Sequence, residues 1–147
     1  MSNLELLPYA ITLEVRDRCL CLHLQRAARA VARRFDAVFR PLNLTNGQFS
    51  LLMSLNRPEP ATIGSVSALL AMDRTTLTAN LKPLERRGLI AVKPDPADRR
   101  GRHLTLTAKG HDLLAAAVPL WREEHAAIDR CIETDPDQLR AGLRALT

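Results

Sequence analysis

Asp73-Arg74-Thr75-Thr76-Leu77-Thr78-Ala79-Asn80-Leu81-Lys82 reads as the opening of a helix with two unlike faces. Asp73 suits the N-cap, where its carboxylate can accept from the otherwise unpaired amides of the first turn. Leu77, Leu81 and Leu84 recur at spacings of four and three, which gathers them into one buried stripe. Thr75, Thr78, Lys82 and Arg86 fall on the other side, with Arg74 and Thr76 exposed at the N-terminal tip. Hydroxyls and cations on one face can bond base edges and phosphates without burying an unpaired acid. The face has the chemistry of a DNA-recognition helix.

The residues on either side supply the rest of such a unit. Thr62 caps a preceding helix that turns Ile63, Val66, Leu69 and Leu70 inward, and Leu70-Ala-Met-Asp73 is the tight turn between the two. Pro83 predicts a kink or a tightened last turn, and Gly88 is a suitable residue just past the helix end. Leu89-Ile-Ala-Val92 and His103-Leu-Thr-Leu106 are short β-prone runs joined by turn chemistry at Pro94, Asp95, Pro96, Asp98 and Gly101. They predict a two-stranded hairpin whose loop carries Arg99, Arg100 and Arg102.

Charge is distributed to match. The 147-residue chain has a net charge of +5. Between Asp73 and Arg102 eight basic residues face four acids, whereas from His103 onward five basic residues face seven acids. Positive charge is therefore concentrated on the central unit, as binding to a polyanion requires.

Residues 1–13 read as a partly ordered arm interrupted by Pro8. A helix from about Asp17 to Arg40 would be roughly 36 Å long at ~1.5 Å per residue. Its seam is Leu20, Leu24, Ala27 or Ala28, Val31, Phe35, Val38 and Leu42, flanked by Arg26, Arg29, Arg33 and Arg34. A stripe that long cannot be covered within so small a chain, so part of it should pack on a partner. Thr45-Asn-Gly-Gln48 is a capping box, and Phe49, Leu52, Met53 and Leu55 give the next helix its core face. Thr107 caps a helix bent at Pro119, and Asp135-Pro-Asp-Gln138 starts a last one bearing Leu139, Leu143 and Leu146. The fold class is mainly α with a small β-hairpin wing. Three segments follow: an arm and dimerisation helix (1–44), a winged helix-turn-helix lobe (45–107) and C-terminal dimerisation helices (108–147).

Asp95-Pro-Ala-Asp98-Arg99-Arg100-Gly101-Arg102 followed by Leu104-Thr-Leu-Thr107-Ala-Lys-Gly110 resembles the wing signature of the MarR family of winged-helix regulators. Asp73-Arg-Thr-Thr-Leu-Thr and Leu84-Glu-Arg-Arg-Gly-Leu89 are similar to that family's recognition helix and the turn into its wing. The resemblance runs from about Asp17 to Leu146. It implies a homodimer whose first, fifth and sixth helices interlock. It also implies a palindromic duplex DNA target, bound as a repressor and released by a small molecule or an oxidant. Arg74, Thr75, Thr76, Thr78 and Lys82 would meet the major groove and its phosphates. In the wing, Asp98 would orient Arg100 toward the minor groove, with Arg99 and Arg102 nearer phosphates.

Two switches are compatible with these residues. Leu20-Cys21-Leu-His-Leu resembles the first-helix segment of the organic-hydroperoxide-sensing subgroup, and Cys131 falls roughly where two-cysteine members keep a resolving thiol on the partner chain. This chain departs from that subgroup at Gln25, where a sulfur-bonding tyrosine is expected. Buried, inert packing of both cysteines is the plain alternative. The other switch is a small-molecule pocket between the dimer helices and the DNA-binding lobe, with His23, Phe49, Met53 and Trp121 as candidate lining residues.

Other classes find little support. Cys19, Cys21 and His23 diverge by about 200° per pair on a helix and cannot converge on one ion, so neither a metal nor another cofactor is expected. No Ser/His/Asp constellation, phosphate loop or zinc motif is present, which leaves a thiol peroxidase at Cys21 as the one enzymatic rival. The first thirteen residues lack a basic segment leading into an apolar run, no stretch approaches the roughly 18 apolar residues of a membrane span, and the three cysteines do not suit a secreted disulfide scaffold. The expectation is a cytoplasmic regulator without a membrane partner.

Overall fold

The computed structural model describes residues 6–147; the first five positions of the expected arm lie outside that range. Among the described residues seven α-helices and a three-stranded antiparallel sheet follow in chain order: α1 (Tyr9–Arg18), α2 (Leu20–Phe39), which runs into a short 3-10 turn (Arg40–Leu42), α3 (Asn46–Leu55), β1 (Ala61–Thr62), α4 (Ile63–Leu70), α5 (Arg74–Arg86), β2 (Ile90–Pro94), β3 (Arg102–Leu106), α6 (Ala108–Cys131) and α7 (Pro136–Arg144). The mainly helical winged architecture is the one expected.

The N-terminal region differs in two ways. Pro8 starts a helix instead of breaking one, because proline at a helix entrance removes only an amide that has no partner there. The long helix is then split at Cys19, whose extended ψ of 108° separates α1 from α2. No residue of α1 is buried, and on α2 only Phe35 and Phe39 are. Leu20 is 57% exposed and Val31 36%. The C-terminal end of the seam is covered by α3 and α6, and its N-terminal half is open within one chain.

Helix starts follow side-chain chemistry. Thr45 and Gln48 form the reciprocal box that opens α3, and Thr62 and Ser65 do the same for α4. At α7 Asp135 accepts from the amides of Asp137 and Gln138 without the return bond from Gln138 that a full box requires. The turn between α4 and α5 places Ala71 in the left-handed region at φ 50°, stabilised by the Met72 amide donating to Ser67 O. α5 continues through Pro83 to Arg86. It ends on Gly88 at φ +71°, with Gly88 N bonded to Glu85 O and Leu89 N to Leu84 O, a pairing that closes a helix on a left-handed residue.

The wing is wider than a hairpin. β1, only two residues long, adds to the free edge of β3, pairing Ala61 with Leu104 and Thr62 with His103. Its sequence carries little β signal; the register is set by burial of Ala61 beside Leu104, both fully inaccessible. The core joins Val66, Leu77, Leu84, Leu89 and Leu104 of the winged unit to Phe39, Leu51 and Leu52 beneath it. Leu69 and Met53, expected inward, are 62% and 39% exposed, while Leu51 takes the buried place on α3.

Candidate nucleic-acid interface

α5 presents its outer face as the sequence suggested. Leu77, Leu81 and Leu84 are buried, and Arg74, Thr75, Thr76, Thr78, Lys82 and Arg86 are exposed. Arg74, Thr75, Thr78 and Lys82 come together around a shallow concavity that also includes Ala79. Thr76 stands apart. Its amide and its hydroxyl both donate to the Asp73 carboxylate, so the hydroxyl is already committed to the cap. These bonds hold Asp73 below the usual carboxylate range, the Thr76 hydroxyl contributing most. Arg74 leans back so that its Nη2 lies over Gly64 in the first turn of α4, where a Cβ would come within 3.3 Å of it.

On the wing, Arg99, Arg100 and Arg102 are all exposed. Asp98 fixes the loop through its backbone: Oδ1 accepts the Arg100 amide at 3.0 Å, and Asp98 O accepts the Gly101 amide at 3.0 Å. Among the described residues the Arg100 guanidinium makes no bond to Asp98, so the acid shapes the turn from which the arginine projects. Arg102 Nη1 donates to Gly101 O at 3.0 Å. Sequence reasoning missed a further contact here, His103 Nε2 at 3.3 Å from Asp95 Oδ2. The outward register of His103, next to inward Leu104, was the only available signal.

α5 is tied to α6. Thr107 Oγ1 donates to Gly88 O at 2.6 Å, and Lys109 Nζ to Arg87 O at 2.8 Å. Both bonds satisfy carbonyls at the end of α5 that its own ladder leaves free.

These features are shared with known proteins. Residues 44–101 match the model of the MarR family. The organic hydroperoxide resistance transcriptional regulator of Bacillus subtilis is 32% identical over 101 residues, 69% of each chain. The chain belongs to the MarR family. Coverage varies among curated MarR-type relatives: the match to HosA of Escherichia coli O111:H- spans 58% of that protein. Among solved structures, the regulator MosR of M. tuberculosis in complex with DNA superposes with a TM-score of 0.81 at 36% identity, covering 88% of this chain and 93% of that one. BpsR of Bordetella bronchiseptica, described with regulation of its DNA binding by 6-hydroxynicotinic acid, superposes with a TM-score of 0.72 at 28% identity, covering 86% and 89%.

The candidate switch residues of this MarR-family chain separate into distinct places. Phe49, Met53 and Trp121 line one cavity of about 470 Å³, with Ser50, Ser54, Leu69, Leu70, Val118 and Arg122. His23 is not among them. It lies with Arg26, Arg29 and Arg33 along a groove on the exposed face of α2, its Nδ1 2.7 Å from Cys19 O. Phe49 and Trp121 also belong to a closed ring of aromatics, Phe35, Phe39, Phe49, Trp121 and His125, with neighbouring centroids 4.8–6.4 Å apart. Arg122 at the cavity was not anticipated, because its position on α6 marks only a solvated helix face.

Cys21 and Cys131 are both exposed in the single chain. Gln25 Nε2 donates to Cys21 Sγ at 3.3 Å, so the residue standing in the expected tyrosine position does contact the sulfur. Arg34 Nη1 donates to Cys131 Sγ at 3.8 Å while its Nε pairs with Glu124. Among the described residues no cluster of His, Cys, Asp and Glu is arranged to hold a metal ion, and no helix is long and apolar enough to cross a membrane.

Proposed function

We propose that the protein is a homodimeric, cytoplasmic repressor, not an enzyme, that binds a palindromic operator through Arg74, Thr75, Thr78, Lys82 and the wing arginines, and that a small molecule releases it. One observation carries this reading: an acid-free patch of α5 bearing two cations and two hydroxyls, together with a wing that carries three exposed arginines. Thr76 and Asp98 support that surface from within. The DNA complex of MosR, so similar in fold, supports the same mode of docking.

A partner chain is required by exposed apolar surface on the three elements that bury least. Val15 on α1, Leu20 and Val31 on α2, and Leu139 and Leu143 on α7 are all open in one chain. Covering them against a second copy removes that surface from water and sets two recognition helices about a two-fold axis. In this reading 1–44 and 108–147 are the dimerisation segments and 45–107 the DNA-binding lobe. The cavity beside Trp121 lies between α3, α4 and α6, where a bound molecule would bias the lobe against the dimer helices; BpsR, with its 6-hydroxynicotinic acid, supports an effector of that size.

The test is fluorescence anisotropy with duplex DNA across a salt series. Specific binding whose log affinity falls steeply with log salt is the expected result, and salt-independent or absent binding would defeat the reading.

A second switch rests on the Gln25 amide at the Cys21 sulfur. A Cys21 thiolate attacks the distal oxygen of a hydroperoxide, giving a sulfenic acid and an alcohol; a second thiol then displaces water to form a disulfide. The name of the Bacillus subtilis relative supports this chemistry. A Cys21–Cys131 disulfide between subunits after mild peroxide, found by mass spectrometry, is its test; turnover with excess reductant would instead indicate a thiol peroxidase.

A further inference from the structure

The wing loop holds together around one carboxylate. Asp95 Oδ1 accepts the Ala97 amide at 2.8 Å, and the Asp95 amide donates to Gly101 O at 3.1 Å. Gly101 folds so closely over this acid that a Cβ on it would stand 3.2 Å from Asp95 Cβ. Residues 95–101, which carry Asp98, Arg99 and Arg100, are thus closed at their base by Asp95. Its other oxygen, Oδ2, faces His103 Nε2 at 3.3 Å.

His103 is well placed to hold that oxygen. It lies on β3, one residue before the fully buried Leu104, so its side chain projects from the outer face of the sheet. There it is flanked by its cross-strand partners, Lys93 on β2 and the uncharged Thr62 on β1. With the pair formed, the Asp95 and His103 side chains keep only 18% and 30% of their accessible surface. Asp95 is therefore more constrained than the exposed ion pairs on α1, and the constraint sits at the root of the loop that presents the arginines.

We propose that His103 is a positioning residue for DNA binding: it clamps Asp95 and thereby holds the wing loop in the shape that carries Arg99 and Arg100 to the duplex. This rests on the DNA-binding reading above. His103 itself need not touch DNA, since its effect is transmitted through Asp95. Without the clamp, Asp95 turns to solvent, the loop samples other shapes, and ordering it again costs binding free energy.

The experiment is a double-mutant cycle on operator affinity, read by anisotropy over a salt series, with His103→Ala, Asp95→Ala and the double variant. His103→Ala is expected to bind about tenfold more weakly with its salt slope unchanged, since the same phosphates are met once the loop is ordered, and with its melting temperature little changed. In the Asp95→Ala background the same change should cost nothing further. His103→Gln, whose amide can reach Asp95, should recover most of the affinity and keeps the test open if Asp95→Ala does not fold. Wild-type affinity in His103→Ala, a salt slope lower by about one (the mark of a direct phosphate contact), equal losses in both backgrounds, or no recovery by glutamine would each overturn the proposal. Failure of the wild-type protein to bind DNA would instead overturn the reading on which it rests, and Arg100→Ala measured alongside distinguishes the two.

Discussion

The Cα of Gly110 lies directly against the carbonyl of Leu89, with no space between them for a methyl group. This contact brings the first turn of α6 onto the residue that links α5 to β2, and Thr107 and Lys109 bond the two preceding carbonyls from the same turn. α5 is thereby attached to α6, which in the proposed reading joins the DNA-reading helix to the dimer face. Gly110→Ala should force the two elements apart and cost about 3 kcal/mol, lowering Tm by roughly 6–12 °C for a chain of this length. A melting curve within a degree or two of wild type would show that the junction can shift freely.

Asp73 makes a prediction for acid stability. Its folded-state carboxyl is held below the usual value of 3.8, first by the Thr76 hydroxyl and then by the Thr76 amide. A depressed pKa contributes stability that is present above the unfolded value and lost as pH falls through the folded one. Asp73→Asn should therefore be less stable than wild type near neutrality, with the gap closing below pH 3.8. Thermal melts between pH 6 and pH 3 check this, and a gap that widens in acid would contradict it.

On the proposed reading, the face of α5 separates base reading from phosphate holding. Thr78→Ala should relax the preference for particular base pairs, because its hydroxyl is free to meet base edges. Lys82→Ala should weaken all duplexes about equally and reduce the salt slope by about one. Thr76→Ala should act through stability more than through sequence preference, since its hydroxyl is bonded to Asp73. Affinities measured on an operator and on its single-base variants distinguish these outcomes.

For the proposed thiol switch, Gln25→Leu removes the one side-chain donor to Cys21 Sγ among the described residues. That bond orients the Cys21 sulfur, so the variant should lose DNA binding more slowly under mild peroxide, while Cys21→Ser should not respond at all. Equal rates for Gln25→Leu and wild type would remove Gln25 from the chemistry.

What the sequence revealed depended on how local the determining interaction was. The faces of α5 follow from leucine spacing, and the starts of α3 and α5 follow from Thr45 and Asp73, all within a single turn of helix. β1 is set by the pairing of Ala61 with Leu104, over forty residues away, and no local pattern announces it. The break at Cys19 rests on one extended ψ between two stretches with helical composition. In the interface, residue types indicated which side chains face outward, but not that Thr76 is tied to its own cap or that Asp98 bonds backbone. His23 illustrates the same limit: its place on α2 was legible, and its distance from the Trp121 cavity was not.

Selection of bound duplexes from a random pool tests the dimeric repressor most directly. The account predicts enrichment of an inverted repeat whose half-sites lie about one helical turn, ~10 bp, apart. Recovery of a lone asymmetric site, or no enrichment at all, would contradict it.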